Sequence, residues 1–125
     1  MAELAGSPVK PVVWIADSLD VLRQFPDDVQ WEMGHAIYQA QKGDKHERAK
    51  PLRDFGSGVL EVVSDYRGDT FRAVYTVRLA GRVYVLHVFQ KKSKKGIATP
   101  RSEIELIRRR MRRAEELHAS LGGSA

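Results

Sequence analysis

The hydrophobic pattern changes its period at Val59, and this change constrains the fold more than any other feature of the sequence. Before Val59, apolar residues recur at three- and four-residue steps, the spacing of one helix face. After it, apolar and polar residues alternate, as they do along β-strands, in the segments 59–66, 71–79 and 83–90. The short connections between these segments contain Gly68 and Gly81, so the pattern predicts an antiparallel meander of three strands.

Helical patterns flank the meander on both sides. A brief helix capped by Asp17 or the serine after it, and a longer helix opened by Pro26, are predicted before it. Thr99 and Pro100 are predicted to open a last helix as its N-cap and first residue. The apolar run 10–15 indicates a first strand, confined to an edge or a strand start by its proline. The expected fold class is α+β, with two N-terminal helices on one face of a small antiparallel sheet and a C-terminal helix. The other sheet face is expected to stay partly open.

Size and composition indicate one domain. The 125 residues with 42% hydrophobic content allow a single core. We expect a flexible N-terminus at 1–9, a single domain at 10–121 and a frayed tail at 122–125. The absence of cysteine excludes a disulfide scaffold and a thiol nucleophile. No cofactor is expected, and no metal either, because His35 and His46 lack companions at ligand spacing.

Location follows from two further absences. No apolar run approaches the roughly 20 residues of a membrane span, and the N-terminus lacks a signal pattern. We therefore expect a cytoplasmic protein without a membrane partner.

Positive charge is concentrated in the last third of the chain. The net charge is +5, and residues 87–113 contain ten Lys or Arg and two Glu, a balance of 10 − 2 = +8 that leaves 5 − 8 = −3 for the remainder. Such asymmetry is typical of a surface that meets nucleic acid or another polyanion. A solvated basic helix face would give the same pattern, and both interpretations stay open.

Strand alternation collects polar residues on the face that the helices are expected to leave open. Arg72 and Arg78 point away from the apolar side of their strand, and the simplest pairing brings Glu61 beside them. Cations with a carboxylate make a phosphate-handling surface. Lysines 91, 92, 94 and 95 lie at its rim, and one of them is a candidate general base.

Each of these residues also has a simpler interpretation. Charged strand residues are most often solvated or ion-paired. His87 lies inside an apolar run and is expected to be a packed or hydrogen-bonded histidine rather than a catalyst. Tyr66, at a strand end, is a weak candidate for stacking on a base.

The combined pattern resembles the HigB-like, phage-related branch of the RelE/ParE toxin superfamily. The resemblance covers residues 10–115 and is specific only as a whole. It rests on Lys-Pro-Leu at 50–52 and on the stretches 55–62, 65–75 and 85–95, followed by Thr99-Pro100 and Glu103-Ile104.

The resemblance implies the toxin of a type II toxin–antitoxin system. Such toxins are metal-independent, ribosome-dependent mRNA endoribonucleases that inhibit translation, and a cognate antitoxin, in this branch often a helix-turn-helix protein, neutralises them. In their reaction the RNA 2′-hydroxyl attacks the adjacent phosphate, which requires a base, cations on the phosphate and a proton source for the leaving oxygen.

The family's site residues can be carried over to matching positions. Arg72 matches the arginine that stabilises the phosphate, Glu61 a carboxylate base, and Lys91 and Lys94 the last catalytic groups. Contacts with RNA are expected from Lys92, Lys95, Arg78 and Tyr66. This chain has lysines where better-known members end in tyrosine or histidine-tyrosine. The base is therefore Glu61 or a lysine, and the acid is open.

Two other functions stay open at this point. A ParE-like toxin would bind DNA gyrase without nuclease activity. ParE-type members lack the nuclease residues, which argues mildly against this alternative. A non-catalytic RNA-binding domain would bind RNA with a steep salt dependence and cut nothing.

Overall fold

A computed structural model describes residues 9–91 and 99–123. Residues 1–8 of the predicted flexible segment 1–9, the rim lysines Lys92, Lys94 and Lys95, and the last two residues lie outside the described residues. The elements in chain order are β1 (Val12–Trp14), α1 (Ser18–Leu22), α2 (Asp27–Gln41), β2 (Ala49–Pro51), β3 (Val59–Tyr66), β4 (Asp69–Thr76), β5 (Val83–Lys91) and α3 (Arg101–Ser120).

The five strands form one sheet in the order β1-β5-β4-β3-β2. Strands β3, β4 and β5 are the predicted antiparallel meander, so the α+β fold class is confirmed. The prediction of an all-antiparallel sheet is wrong at one edge, because β1 pairs with β5 in parallel. At the other edge β2 pairs with β3, and the sequence pattern did not predict a strand there. Three residues that include a proline are too short to show a strand period.

The turn between β3 and β4 has two residues, fewer than the gap left between the predicted strands 59–66 and 71–79. Arg67 and Gly68 both have positive φ, at 52° and 87°, and they join the paired residues Tyr66 and Asp69. Positive φ at both central positions defines a type I′ hairpin, whose twist matches that of the strands. Strand β4 therefore begins at Asp69.

A bulge in β5 changes which side chains face each side of the sheet. Val74 pairs with His87 and Tyr75 pairs with Val85, so Leu86 is an extra residue. Without a partner opposite it, Leu86 shifts the alternation by one position. As a result Leu86 and His87, although consecutive, both lie on the side of the sheet that α3 covers.

Each face of the sheet has its own core. On one face α2 buries its apolar side, which includes Met33 and Ile37, against Val62, Ala73 and other strand residues. On the other face α3 buries Ile107, Met111 and Ala114 against a second set: Val59, Val74, Tyr84, Leu86 and Phe89. The expected open face is therefore wrong as stated. The apolar stripe of α3 also needs a surface, and α1 and α2 already fill the first face.

Candidate active site

The polar residues of the α3-side face run across the middle of the sheet, from Lys50 on the β2 edge to Lys91 on β5. In register across the sheet, Lys50 of β2 is opposite Glu61, Glu61 is opposite Val74, and Val74 is opposite His87. In an antiparallel pair, residues in register share a face. Arg72 and Lys91 belong to the same face by alternation along β4 and β5. We call the five residues Lys50, Glu61, Arg72, His87 and Lys91 the polar sheet face.

Glu61 and Arg72 form an ion pair at the centre of this face. The Nη1 atom of Arg72 donates to Oε1 of Glu61 at 3.1 Å, and the two side chains are 7% and 13% exposed. The second carboxylate oxygen, Oε2, accepts a hydrogen bond of 2.8 Å from the hydroxyl of Thr99. Both oxygens of Glu61 are thus engaged, which holds the carboxylate in one orientation.

The hydroxyl of Thr99 was predicted to cap α3 but is used for this contact. Pro100 occupies the N-cap position, the helix begins at Arg101, and no side chain caps it. A similar exchange occurs at α1, where Asp17 has the N-cap position without a capping bond. Its carboxylate instead accepts a 2.9 Å hydrogen bond from Arg110 of α3. In both cases a long-range contact with a buried network replaces a local one.

His87 lies between two side chains of α3. Its Nε2 is 2.7 Å from Oε1 of Glu103, and its Nδ1 is 3.1 Å from Nη1 of Arg110. A guanidinium group can only donate, so Nδ1 accepts and Nε2 carries the proton that it donates to Glu103. The ring also stacks on Phe89, with centroids 4.8 Å apart. His87 is therefore a hydrogen-bonded histidine, as predicted.

Burial lowers the pKa of His87 below its usual value of 6.5. The hydrogen bond to Glu103 acts in the opposite direction, and the guanidinium of Arg110 adds to the lowering. The balance favours the neutral ring, which agrees with the geometry because a proton on Nδ1 would break the bond from Arg110.

Arg110 connects α3 with β5 and with the start of α1. Besides His87, its Nη1 donates to the carbonyl oxygen of Leu86 at 3.1 Å, and its Nη2 donates to Asp17. The side chain is 14% exposed. The exposed arginines of α3 fit the predicted basic surface, whereas Arg110 is part of the packing: Arg101, Arg108, Arg109, Arg112 and Arg113 are the exposed ones.

The predicted uncovered cationic surface is wrong for its two central members. Arg72 is 6% exposed and Lys91 is 8% exposed. Thr99 and the first turn of α3 lie over this part of the sheet, as the contacts to Glu61 and His87 demonstrate. Arg72 and Lys91 therefore share a face, but as buried groups.

Two predicted RNA-contacting residues lie elsewhere. Arg78 follows the end of β4 and donates to the carbonyl oxygen of Phe55 at 3.1 Å. Six residues separate it from Arg72, up to about 20 Å of extended chain, and its side chain bonds to the Phe55 carbonyl rather than to Glu61. Tyr66 packs against the α2-side core, on the opposite face of the sheet, and the Arg67 guanidinium lies 5.2 Å from its ring centroid.

Glu61 can be reached from the β2 edge. It lines an open cleft of about 310 Å³ together with Glu47, Arg48, Lys50 and Val63. Lys50 was not predicted as a site residue, because its segment was not predicted as a strand. Had Lys50-Pro51 been taken as an edge strand, pairing would have placed this lysine beside Glu61. The contributions of Thr99 and Glu103 had no such signal.

The carboxylate in this arrangement can accept a proton, and the cations can balance the negative charge of a phosphate. A carboxylate held at an arginine is a candidate base, and buried cations beside it can stabilise developing negative charge. Within 9–91 and 99–123, no group of three or more His, Asp or Glu side chains is placed to hold a metal ion. The geometry thus offers acid–base and electrostatic chemistry from side chains.

The fold and this site define a small α+β domain with a buried carboxylate–arginine pair under its C-terminal helix. The model of one protein family, described as Phage derived protein Gp49-like (DUF891), matches residues 20–112, about three quarters of the chain. The chain therefore belongs to the Gp49-like family, a family of RelE-like toxins of toxin–antitoxin systems. Searches of the curated proteins and of the solved structures found no significant match. Among the described helices, none has the length and apolar character needed to cross a bilayer.

Proposed function

We propose that this protein is the toxin of a type II toxin–antitoxin system and that it cuts messenger RNA at the ribosome, in the cytoplasm, without a metal ion. Membership of a family of RelE-like toxins supports the first part. The observation that carries the second part is the contact of 3.1 Å between Glu61 and Arg72, beside a cleft that opens to solvent.

In the proposed reaction Glu61 is the general base. Its Oε2 atom takes the proton of an RNA 2′-hydroxyl, and the 2′-oxygen attacks the adjacent phosphorus. The bond from phosphorus to the 5′-oxygen breaks, which leaves a cyclic 2′,3′-phosphate and a 5′-hydroxyl. Arg72 balances the charge that grows on the phosphate oxygens. Lys91 lies on the same face and Lys94 follows it in sequence, and these two are the candidates to protonate the leaving oxygen.

Thr99 occupies the position that the substrate would need. Its hydroxyl donates to Oε2 of Glu61 at 2.8 Å, and a 2′-hydroxyl must donate to the same oxygen before it can transfer its proton. We infer that the 2′-hydroxyl replaces the Thr99 hydroxyl when RNA binds. The Arg72 contact to Oε1 can persist during this exchange.

The proposed partners are messenger RNA on the ribosome and a cognate antitoxin. An antitoxin partner follows from the family. That the antitoxin is a helix-turn-helix protein rests on the sequence resemblance alone. The exposed arginines of α3 give an acidic antitoxin segment or the ribosomal RNA a surface to approach.

The decisive variant is Glu61→Gln. The glutamine oxygen can still accept from Arg72, and its amide group can donate to the Thr99 hydroxyl, so the contacts survive while the base is lost. Mapping cleavage sites by primer extension in a translating extract should show cutting reduced by roughly 10²- to 10⁴-fold, the usual contribution of a general base. Circular dichroism checks that the variant is folded.

Glu115→Gln, which makes the same change at an exposed position far along α3, should cut like the wild type. Cleavage at the normal rate by folded Glu61→Gln would overturn the role of Glu61. If the wild type cuts no message yet inhibits supercoiling by gyrase, the nuclease proposal is wrong and the ParE-like alternative is correct. Salt-sensitive RNA binding without either activity would instead indicate a binding domain.

A further inference from the structure

The exposed side of α2 has an aromatic stripe. Trp31 is 71% exposed and Tyr38 is 47% exposed, although both are large and apolar. At 100° per residue, five positions spaced by four, three, four and four residues fall within one narrow face of the helix. We call these residues the α2 stripe: Asp27, Trp31, Gly34, Tyr38 and Lys42.

Gly34, in the middle of the stripe, has no explanation within the described chain. Glycine destabilises a helix interior relative to alanine. A Cβ atom at Gly34 would meet no atom within 4 Å, and its φ is not positive. Neither space nor backbone conformation therefore requires glycine here. Because glycine has no side chain, Gly34 leaves a gap between Trp31 and Tyr38. The backbone of a second helix can approach α2 closely at this gap, and such an approach favours glycine where the two helices cross.

The charges at the two ends of the stripe indicate what packs there. Asp27 lies at the N-terminal end and Lys42 at the C-terminal end, both exposed. Fifteen residues of helix separate them by about 22 Å, so they cannot pair within one chain. Read in reverse, the stripe matches itself: an antiparallel copy places Asp27 opposite Lys42 and Trp31 opposite Tyr38. Its centre falls between residues 34 and 35, at the gap.

We propose that the α2 stripe packs antiparallel against the same stripe of a second copy of this chain. The contact is isologous, so each pairing occurs twice around a twofold axis near Gly34. The occupant is a second copy rather than an unrelated helix because the order of charge, aromatic, glycine, aromatic and opposite charge is self-complementary. One pair of 15-residue helices buries less than a standard interface of about 800 Å² per partner, so the expected dissociation constant is micromolar.

This inference does not depend on the nuclease proposal. The stripe lies on the outer side of α2, and α2 packs on the face of the sheet opposite to Glu61 and Arg72. Dimerisation can therefore succeed or fail whether or not the protein cuts RNA.

The test is a charge swap measured by sedimentation velocity of the full chain over a range of concentrations. Lys42→Glu and Asp27→Lys should each weaken self-association by roughly tenfold, because twofold symmetry turns one reversal into two repulsions. An equimolar mixture of the two variants should associate like the wild type, since each repulsion is then replaced by an attraction. This rescue in the mixture is specific to antiparallel pairing of the two ends.

Two further variants separate the stripe from general effects. Asp20→Lys makes the same charge change at an exposed position on α1 and should leave self-association unaltered. Gly34→Ala should keep or raise the thermal midpoint of the chain while weakening association by roughly tenfold, because its methyl group enters the crossing point. A wild type that stays monomeric at several hundred micromolar overturns the proposal. The proposal is also overturned if Lys42→Glu and Asp27→Lys self-associate like the wild type, or if these variants lose antitoxin binding while self-association stays unchanged.

Discussion

The two faces of the sheet are both buried, but different forces hold them. On the α2 face, contacts are mostly apolar. Among the described residues, Ser64 donates to Glu32 of α2 at 2.6 Å, and Ser18 of α1 donates to the carbonyl oxygen of Val85 at 3.3 Å. On the α3 face, an apolar half around Ile107 and Met111 adjoins the polar sheet face. There α3 is attached through hydrogen bonds from Thr99 to Glu61 and from His87 to Glu103.

This difference explains where the candidate active site lies. Apolar packing has no direction, so it holds α2 without specifying individual atoms. Buried polar groups require partners, and their hydrogen bonds fix positions to within a few tenths of an ångström. A carboxylate base needs such placement. The face whose packing includes buried hydrogen bonds therefore provides the better support for chemistry.

The largest effect is expected when the same truncation is made on each face. Met33 is fully buried under α2, and Met111 is 5% exposed under α3. Met33→Ala should lower the free energy of unfolding by about 4 kcal/mol and Met111→Ala by about 2 kcal/mol, since the Met111 site already contacts solvent and is easier to fill or collapse than the fully buried Met33 site. Urea unfolding followed by circular dichroism measures both.

Equal losses at the two methionines would contradict this comparison, because they would mean that both faces are packed equally tightly. A useful control is a conservative change, Met33→Leu, which keeps the side-chain volume and should cost less than about 1.5 kcal/mol.

Hydrophobic period predicted most of the fold. The helical spacing of the buried α2 residues and the alternation from Val59 onward identify α2, the meander and the apolar side of β4. The sequence did not reveal the second face for α3, because a stripe shows that a helix is buried but not against which surface. It also did not reveal β2 or the parallel pairing of β1, since three residues carry too little periodicity.

The candidate site was partly predictable for the same reason. Alternation along β3 and β4 brings Glu61 and Arg72 to one face, and this placement was predicted. The bulge at Leu86 was not, and it directs His87 toward Glu103. Strict alternation from Leu60 also assigns Tyr66 to the α2 side, where the structure has it. Arg72 was also expected on an open face, whereas it is buried, and removing one partner of a buried pair costs about 3–5 kcal/mol.

An intermediate effect is expected from pH on the α3 face. The pKa of His87 in the folded chain is lower than its usual 6.5. Below about pH 6.5 the unfolded chain therefore binds more protons than the folded chain, and stability falls as the pH drops. His87→Gln removes this pH dependence, because glutamine does not titrate, and it still allows hydrogen bonds to Glu103 and Arg110. We expect the substitution to lower stability by about 1 kcal/mol at neutral pH.

Urea unfolding at pH 7.5 and pH 5 measures the difference. The wild type should lose more stability between these values than His87→Gln does. Parallel losses in the two proteins would show that His87 does not titrate as its environment requires. An NMR titration of the His87 ring gives the pKa directly and should place it below 6.5.

The smallest effect is expected on the α2 face, from a buried polar group without a partner. Tyr75 is fully buried, and its hydroxyl has no hydrogen-bond partner among the described residues. Burial raises its pKa from 10.0 to about 12. Tyr75→Phe removes the unsatisfied hydroxyl without changing the ring, so stability at pH 7 should stay within about 1 kcal/mol of the wild type or rise slightly.

The same variant should differ from the wild type in alkali. Between pH 10 and about 12 the unfolded tyrosine loses its proton while the folded one keeps it, so the wild type loses stability across this window. Tyr75→Phe lacks that loss, and urea unfolding at pH 7 and pH 11 measures it. A loss of more than about 2 kcal/mol at pH 7 would mean that the hydroxyl has a partner that stabilises the α2 face. In that case polar bonds would hold both faces, and the contrast between them would be one of degree.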